Sequence, residues 1–193
     1  MTMAPTDRVR GAWHEAVLHT DFSVWHDFYQ DAYLRVADLA HAFAQPTDHV
    51  ADLIAAISPL KAWPENLRLA REALLANWNG DFLLLRVPLM HARRVAAQDA
   101  LAGLGPGGGR KVNAFAANLR GDLSQVTVDR HMLTLCGFTV KDQGKTAWRQ
   151  CVDAVKTVAA EFGEYPANLQ ATVWGMERHR KGHATVGGAG QTT

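Results

Sequence analysis

Apolar side chains recur at helical spacing in several parts of the chain. In one segment they occupy positions i, i+3, i+4 and i+7, which together form one stripe on a helix: Val50, Leu53, Ile54 and Ile57. This stripe predicts a helix that ends at Ser58-Pro59. Thr47 and Asp48, which follow Pro46, are the candidate caps at its start.

Two later segments repeat the same period. The longer one covers four turns before Gly163, which predicts the end of the helix, and its apolar positions are Trp148, Cys151, Val152, Val155, Val158, Ala159 and Phe162. The shorter one consists of Val112, Phe115, Ala116 and Leu119. Four further segments are rich in Ala, Leu and Arg and permit helices: 23–44, 64–78, 89–102 and 167–181. Since Val126-Thr127-Val128 is too short to found a sheet, we expect an all-α protein.

Composition narrows the class of protein. A chain of 193 residues with 48 % hydrophobic residues is neither disordered nor fibrous, and it predicts a single helical domain over residues 1–181. The small, polar residues 182–193 predict a flexible tail. The longest apolar runs, such as Phe82-Leu83-Leu84-Leu85, are too short for a membrane span, and no signal peptide is evident. We therefore expect a cytoplasmic protein without a membrane partner, and no feature points to an obligate protein partner.

The cysteines and histidines do not indicate a cofactor or a metal. Two cysteines, Cys136 and Cys151, are too few for a disulfide framework or a four-thiolate cluster, so we expect reduced thiols that pack between helices. His179 and His183 stand at i and i+4, but the carboxylate of an H-E-x-x-H motif is absent.

Charge is divided unevenly along the chain. The net charge is +1, yet residues 1–80 carry six Lys or Arg against ten Asp or Glu, whereas residues 81–193 carry fourteen against nine. A basic half can hold a polyanion, although segregated charge is also common on ordinary surfaces.

Glycine is concentrated between two segments that permit helices. Five of the seven residues from Gly103 to Gly109 are glycine, and Arg110 and Lys111 follow directly. A glycine-rich turn that leads into a helix exposes backbone N–H groups at the positive end of the helix dipole, where a phosphate binds. The same composition also fits a flexible loop whose basic residues have no role.

This segment resembles a known family. Gly105-Pro106-Gly107-Gly108-Gly109-Arg110-Lys111, followed 18 residues after Lys111 by Asp129 within Val128-Asp129-Arg130-His131, is similar to the hairpin and catalytic aspartate of the helix-hairpin-helix DNA glycosylases, such as endonuclease III. The resemblance implies an all-α, helix-hairpin-helix bundle with its hairpin motif at about 92–120. The sequence departs from the pattern at Gly105 and Gly108, where the family has Leu and Val or Ile, and it lacks the cysteines of an iron–sulfur loop.

A second set of motifs is similar to a divergent branch of the same superfamily, near the phage-linked α-glutamyl/putrescinyl thymine pyrophosphorylases. These motifs are Ile57-Ser58-Pro59, Trp63-Pro64-Glu65-Asn66, Lys111 with Phe115 and Asn118-Leu119, Val128-Asp129-Arg130-His131 and Gln170-Ala171-Thr172-Val173-Trp174. This likeness implies a bulky substrate base, such as the glucosylated hydroxymethylcytosine of phage DNA, and a role in defence against phages.

The resemblance implies catalytic roles for two residues. Asp129 is the carboxylate that would stabilise positive charge on the deoxyribose, a role compatible with capping the short helix 130–136. Lys111 is the amine that would attack the sugar and form a Schiff base; alternatively it contacts a phosphate or is structural, so lyase activity stays open.

The other implied site residues would bind duplex DNA or the flipped base. Gly107, Gly109, Arg110, His131, Leu60 and Lys61 are the DNA-binding candidates, and Trp63 and Asn66 are the candidates for the base pocket. His131 has an ordering role within its helix as its alternative, and Trp63 has ordinary packing. Further candidate phosphate contacts are Arg86, Arg93, Arg94, Arg178, Arg180 and Lys181.

Three functions are therefore compatible with the sequence. The first is a DNA glycosylase that excises a modified pyrimidine and leaves an abasic site. The second is a base-modifying transferase that acts on hypermodified thymine, and the third is a non-catalytic helix-hairpin-helix module that grips DNA.

Overall fold

The structure is a computed structural model of the whole chain, and it describes residues 3–59, 61–80, 91–142 and 144–182. The predictions for Leu60, Arg86, the apolar run at 82–85 and the tail from 183 onward lie outside these described residues.

Ten α-helices and one short 3₁₀ turn make up the regular structure of the described residues. The helices are α1 Pro5–Val17, α2 Phe22–His26, α3 Phe28–Ala42, α4 Thr47–Ile57, α5 Trp63–Trp78, α6 His91–Leu101, α7 Arg110–Leu119, α8 Arg130–Leu135, α9 Lys145–Phe162 and α10 Pro166–Arg180, and the 3₁₀ turn is Val140–Asp142. Since no strand occurs among the described residues, the prediction of an all-α protein is confirmed.

Contacts within the chain define two compact units. Unit 1 consists of Met1–Tyr29 and Leu123–Thr193, and unit 2 consists of Gln30–Asp122. The single domain that the sequence predicts over residues 1–181 stays a prediction, because a domain with two lobes also divides in this way.

The predicted elements differ from the structure in three places. The helix-permissive segment 23–44 is broken at Asp27, whose backbone ends α2 and whose carboxylate binds the neighbouring His26 ring at 2.8 Å. Helix α4 begins at Thr47 with Pro46 as its N-cap, and neither Thr47 nor Asp48 caps it with a side chain. Helix α1 was not among the predicted helices, although its buried residues follow the same i, i+3, i+4, i+7 spacing: Val9, Ala12, Trp13 and Ala16.

Helices α1, α8, α9 and α10 pack together around the main core of unit 1. Helix α2 packs against α10, and the Trp25 ring lies directly over the α10 backbone at Gly175. A Cβ atom at Gly175 would stand 2.4 Å from Cγ of Trp25, so this helix position requires glycine. Cys136 and Cys151 are free and buried in the same core, with their Sγ atoms 2.8 Å apart.

Helix α4 is the centre of unit 2. All eight residues from Val50 to Ile57 are buried, because α5, α6 and α7 each pack against this helix. One of the eight is polar, namely Asp52, and its carboxylate forms an ion pair with Arg120 at the end of α7. Burial outweighs this ion pair, so the pKa of Asp52 is raised above its ordinary value.

Candidate active site

The glycine-rich segment joins α6 to α7 within unit 2. Four of its glycines have positive φ angles: Gly103, Gly105, Gly107 and Gly108. A Cβ atom at Gly107 would stand 3.2 Å from Cβ of Ala96 on α6, so close packing as well as backbone conformation favours glycine there. The unit thus contains a helix, a tight glycine-rich turn and a second helix, with both helices packed against α4.

Gly109 is the N-cap of α7, and no side chain caps this end of the helix. Because glycine has no side chain, the N-cap itself supplies no acceptor to the first backbone N–H groups of α7, and the positively charged residues Arg110 and Lys111 follow directly. Lys111 is half-buried, and no hydrogen bond or ion pair joins its amine to another described residue. This end of the helix has the features that suit an anion.

The base-pocket candidate Trp63 lies at the start of α5 and contacts α7. Its ring is 6.5 Å from that of Phe115, with the two planes at 80°. Because Lys111 precedes Phe115 by one turn of α7, it lies on the same helix face as the residue that Trp63 contacts. Lys61 is half-buried in the loop before α5.

The side chain of Asn66 binds the C-terminal turn of α4. It is 2 % exposed, and its Nδ2 atom donates a hydrogen bond of 3.2 Å to the carbonyl oxygen of Ile54. Ser58 and Arg93 donate to the next two carbonyls of α4, those of Ala55 and Ala56, at 2.9 and 3.4 Å. These bonds satisfy groups that every helix leaves open at its C-terminus. The Oδ1 atom of Asn66 is buried and has no partner within the described part of the chain.

Asp129 is the N-cap of α8, in unit 1, as the sequence predicts. Its Oδ1 atom accepts hydrogen bonds from the backbone N–H groups of His131 and Met132, at 2.8 and 3.0 Å. Its Oδ2 atom accepts a third bond, of 3.0 Å, from Nε1 of Trp174 on α10. Three N–H donors thus fix the orientation of a half-buried carboxylate.

Trp174 also contacts a cation. The guanidinium carbon of Arg178 lies 4.8 Å from the centroid of the Trp174 ring. The residues Trp174, Arg178 and Lys181 are spaced by four and three positions, so they share one face of α10. The same indole therefore orients the Asp129 carboxylate through its N–H group and supports a guanidinium on its ring.

The pKa of His131 depends on burial and on the charged residues around it. Burial lowers the pKa of the His131 imidazole, and the cations Lys181, Arg130 and Arg178 lower it further. The negative charge of Asp129 raises it, but this effect is outweighed. The lowered pKa of His131 therefore has burial as its largest cause, with smaller contributions from the three cations.

The structure brings the candidate residues together in two groups. Unit 1 holds Asp129 and His131 at the start of α8, and unit 2 holds Gly107, Gly109, Arg110 and Lys111 at the start of α7, with Lys61, Trp63 and Asn66 around α5. Asp129 and Lys111 belong to different units, so their convergence on one nucleotide stays a prediction.

Two polar contacts in unit 1, Trp174–Asp129 and His26–Glu164, had no sequence signal, because each joins residues far apart in the chain. The Trp174–Asp129 bond spans 45 residues. The ring of His26 binds both Asp27 and Glu164, and although burial lowers the pKa of this imidazole, the two carboxylates outweigh that effect and raise it. Two of the predicted phosphate contacts pair with carboxylates instead: Arg180 binds Glu15, and Lys181 binds Glu177 at 2.6 Å.

The protein is all-α over its described residues, with a helix–glycine turn–helix in one unit and a capped carboxylate in the other. Residues 2–181 match a protein family of unknown function, DUF7178, and the chain belongs to this family. No curated protein and no solved structure matches it. None of the described helices is long and apolar enough to cross a membrane.

Proposed function

We propose that this protein is a DNA glycosylase with the helix-hairpin-helix fold and without an iron–sulfur cluster. In this proposal it flips a modified pyrimidine out of duplex DNA, excises it and leaves an abasic site. The proposed substrates are bulky pyrimidines of phage DNA, such as glucosylated hydroxymethylcytosine, and the proposed role is defence against phages.

The carboxylate of Asp129 is the observation that carries this proposal. Breaking an N-glycosidic bond moves the bonding electrons to the base and leaves positive charge on the deoxyribose. A fixed, ionised carboxylate stabilises that charge without having to reorient during the reaction. The three hydrogen bonds to Asp129 supply the fixed orientation, and its partial exposure leaves it open to a sugar. Water then adds its hydroxyl group to the sugar carbon, and the base leaves with a proton.

The turn between α6 and α7 supports DNA as the substrate. Its closely packed glycines lead into a helix whose first N–H groups have no side-chain cap, beside Arg110 and Lys111. Backbone N–H groups at a helix N-terminus are suited to one phosphate of a DNA strand. In the proposed enzyme, the start of α7 therefore binds the DNA backbone.

Base release tests the assignment of Asp129. The wild-type protein and the variant Asp129→Asn are incubated with unmodified, hydroxymethylated and glucosylated genomic DNA, and the released base is measured by mass spectrometry. We expect the wild type to release a modified pyrimidine and the variant to bind DNA while its release rate falls at least about 100-fold, as expected for loss of a charge-stabilising group. No released base from any of these DNAs, or full activity of Asp129→Asn, would contradict the proposal.

A separate experiment tests whether Lys111 gives the protein lyase activity. If its amine attacks the sugar, borohydride traps a covalent adduct between the wild-type protein and DNA, and Lys111→Ala abolishes that adduct. A wild-type protein that releases base but gives no adduct is a monofunctional glycosylase. The exposed Lys145→Ala serves as the matched control, since it lies at the start of α9 in unit 1.

A non-catalytic DNA-binding module is the second candidate. The two backbone bonds to Asp129 are those of an ordinary helix N-cap, and a purely structural aspartate would make them as well. The base-release assay separates the two functions, because a binding module holds DNA and gives no product with any substrate. A base-modifying transferase would instead leave the base attached and change its mass.

A further inference from the structure

Arg178 forms no ion pair with a carboxylate of the described residues. Its side chain is half-buried, and its Nε atom is buried and has no hydrogen-bond partner in the described part of the chain. Its guanidinium carbon lies 4.8 Å from the centroid of the Trp174 ring. Arg10, Arg120 and Arg180 each bind a carboxylate, so Arg178 differs from them.

Two carboxylates on α10 and at the start of α8, those of Glu177 and Asp129, are already engaged by other groups. Glu177 binds Lys181 at 2.6 Å and lies 3.8 Å from Arg180. Both oxygens of Asp129 accept hydrogen bonds from N–H groups. A partly buried charge without a partner costs stability, so a site of this kind is expected where a ligand supplies the missing anion.

The surroundings of Arg178 also favour an anion. The side chain of Arg130 is exposed at the start of α8 and forms no ion pair with another described residue. Three cations, Lys181, Arg130 and Arg178, act on the His131 imidazole and lower its pKa, against the opposite effect of Asp129. The guanidinium carbon lies 4.8 Å from the centroid of the Trp174 ring, and a guanidinium carries further N–H donors besides Nε with which it can bind a phosphate.

We propose that Arg178 binds a backbone phosphate of DNA next to the nucleotide whose sugar meets Asp129. The proposal rests on the proposed function for the identity of the anion as a DNA phosphodiester. Its geometric basis is Trp174, which donates its N–H group to Asp129 and stacks its ring under Arg178. One indole thus sets a carboxylate beside a phosphate-binding group, and a nucleotide presents a sugar beside a phosphate in the same way.

DNA affinity tests this inference without reference to base release. Binding of a fluorescent duplex is measured by anisotropy at several salt concentrations for the wild type, Arg178→Gln and Arg178→Lys. We expect Arg178→Gln to weaken binding about tenfold and to lower the slope of log affinity against log salt by about 0.9. Arg178→Lys keeps the charge but loses the planar fork, so it should keep most of the slope and lose less affinity.

Arg149→Gln is the matched control. Arg149 is exposed on α9 of the same unit, and it forms no ion pair with another described residue. This control should leave affinity and slope near their wild-type values, and circular dichroism of each variant verifies its fold. Equal effects of Arg178→Gln and Arg149→Gln, or no effect of either, would overturn the inference.

Inorganic phosphate separates a DNA phosphodiester from a free anion. If phosphate stabilises the wild type against heat but not Arg178→Gln, while the two proteins bind the duplex equally, the site takes a free anion and our assignment to DNA is wrong. If Arg178→Gln weakens duplex binding but no base is ever released, the inference stands and the glycosylase proposal fails. If base is released and Arg178→Gln binds the duplex as wild type does, the glycosylase proposal stands and the inference about Arg178 is wrong.

Discussion

Two aspartates, one in each unit, are held in different ways. Asp52 lies within the central helix of unit 2, with a side chain 7 % exposed, and its partner is the cation Arg120. Asp129 lies at the end of a helix in unit 1, half-exposed, and its partners are three neutral N–H groups. Burial raises the pKa of Asp52, because desolvation of the carboxylate outweighs the attraction of Arg120.

The difference separates a structural carboxylate from one that can take part in chemistry. The Asp52 side chain is 7 % exposed and is paired with Arg120, so it presents little surface to a ligand. The donors of Asp129 orient it from one side and leave part of its surface accessible. Residue type alone does not distinguish the two, since both are aspartates in helical segments; the partners and the exposure do.

Gly175→Ala should have the largest effect and should disturb Asp129 without disturbing Asp52. The added methyl group would stand 2.4 Å from the Trp25 ring, so α10 or the ring must move, which costs about 3 kcal/mol of unfolding free energy. Because Trp174 is the preceding residue of α10, its bond to Asp129 should weaken. Chemical denaturation measures the loss, and the indole N–H signal of Trp174 in NMR reports the bond.

Gly11→Ala is the matched control for that change. Gly11 is also a helix residue of unit 1, but a Cβ atom there would meet nothing within 4 Å. Alanine should therefore stabilise the protein by about 0.5–1 kcal/mol through helix propensity. Destabilisation of similar size by both substitutions would show that close packing at Gly175 is not the cause.

Asp52→Ala should have the second-largest effect, and it should change only the free energy of unfolding. Removing the carboxylate leaves Arg120 partly buried without its partner, and because the Arg120 side chain is 32 % exposed, water limits the loss to about 2–3 kcal/mol. Asp48→Ala, on the exposed side of the same helix, should cost only about 0.5 kcal/mol. Urea denaturation measures both. An equal loss for the two variants would mean that the Asp52–Arg120 pair does not matter.

Asp129→Ala should cost less, about 1–2 kcal/mol, because it removes the N-cap of a short helix. Asp129→Asn keeps an oxygen for the two backbone donors, but its NH₂ group then faces the N–H group of Trp174. We expect it to lose about 0.5 kcal/mol or slightly more. Thermal unfolding compares the variants, and adding Trp174→Phe to Asp129→Asn should recover part of this loss. A loss for Asp129→Asn as large as that for Asp129→Ala would argue against the cap.

The smallest expected effect is on the titration of His131. Its pKa lies below the ordinary value of 6.5, so the folded state binds a proton less readily than the unfolded state does. This group's contribution to stability is therefore fully present above about pH 6.5 and is lost as the pH falls through the folded-state pKa. Titration followed by NMR should show Arg178→Gln raising this pKa, whereas Arg149→Gln leaves it unchanged. An unchanged pKa in Arg178→Gln would mean that Arg178 contributes little to the charge around Asp129.

The apolar pattern was sufficient to predict the class of fold. The stripe from Val50 to Ile57 became the buried helix α4, and the longer stripe before Gly163 became α9. Asp129 was recognised as an N-cap because such a cap needs only a local sequence. The break at Asp27 was missed, since no glycine or proline marks it in the sequence.

The partners of the candidate residues could not be predicted in the same way. Nothing near Asp129 in the chain indicates that Trp174 donates to it, or that Arg178 stacks on the same ring. Asn66 was predicted to read a base edge, and its buried position at the end of α4 became visible only once α5 was packed against that helix. Its role in base recognition stays a prediction.

By itself, the sequence determined the helices, the helix cap at Asp129 and the glycine-rich turn, because these depend on spacing and backbone conformation within a few residues. Tertiary structure decided which carboxylate is buried against a cation, which one stays partly accessible, and that Arg178 lies against the ring of Trp174. Those outcomes depend on burial and on partners from distant parts of the chain. Burial and such partners change the free energy of a charged group by more than local sequence preferences do.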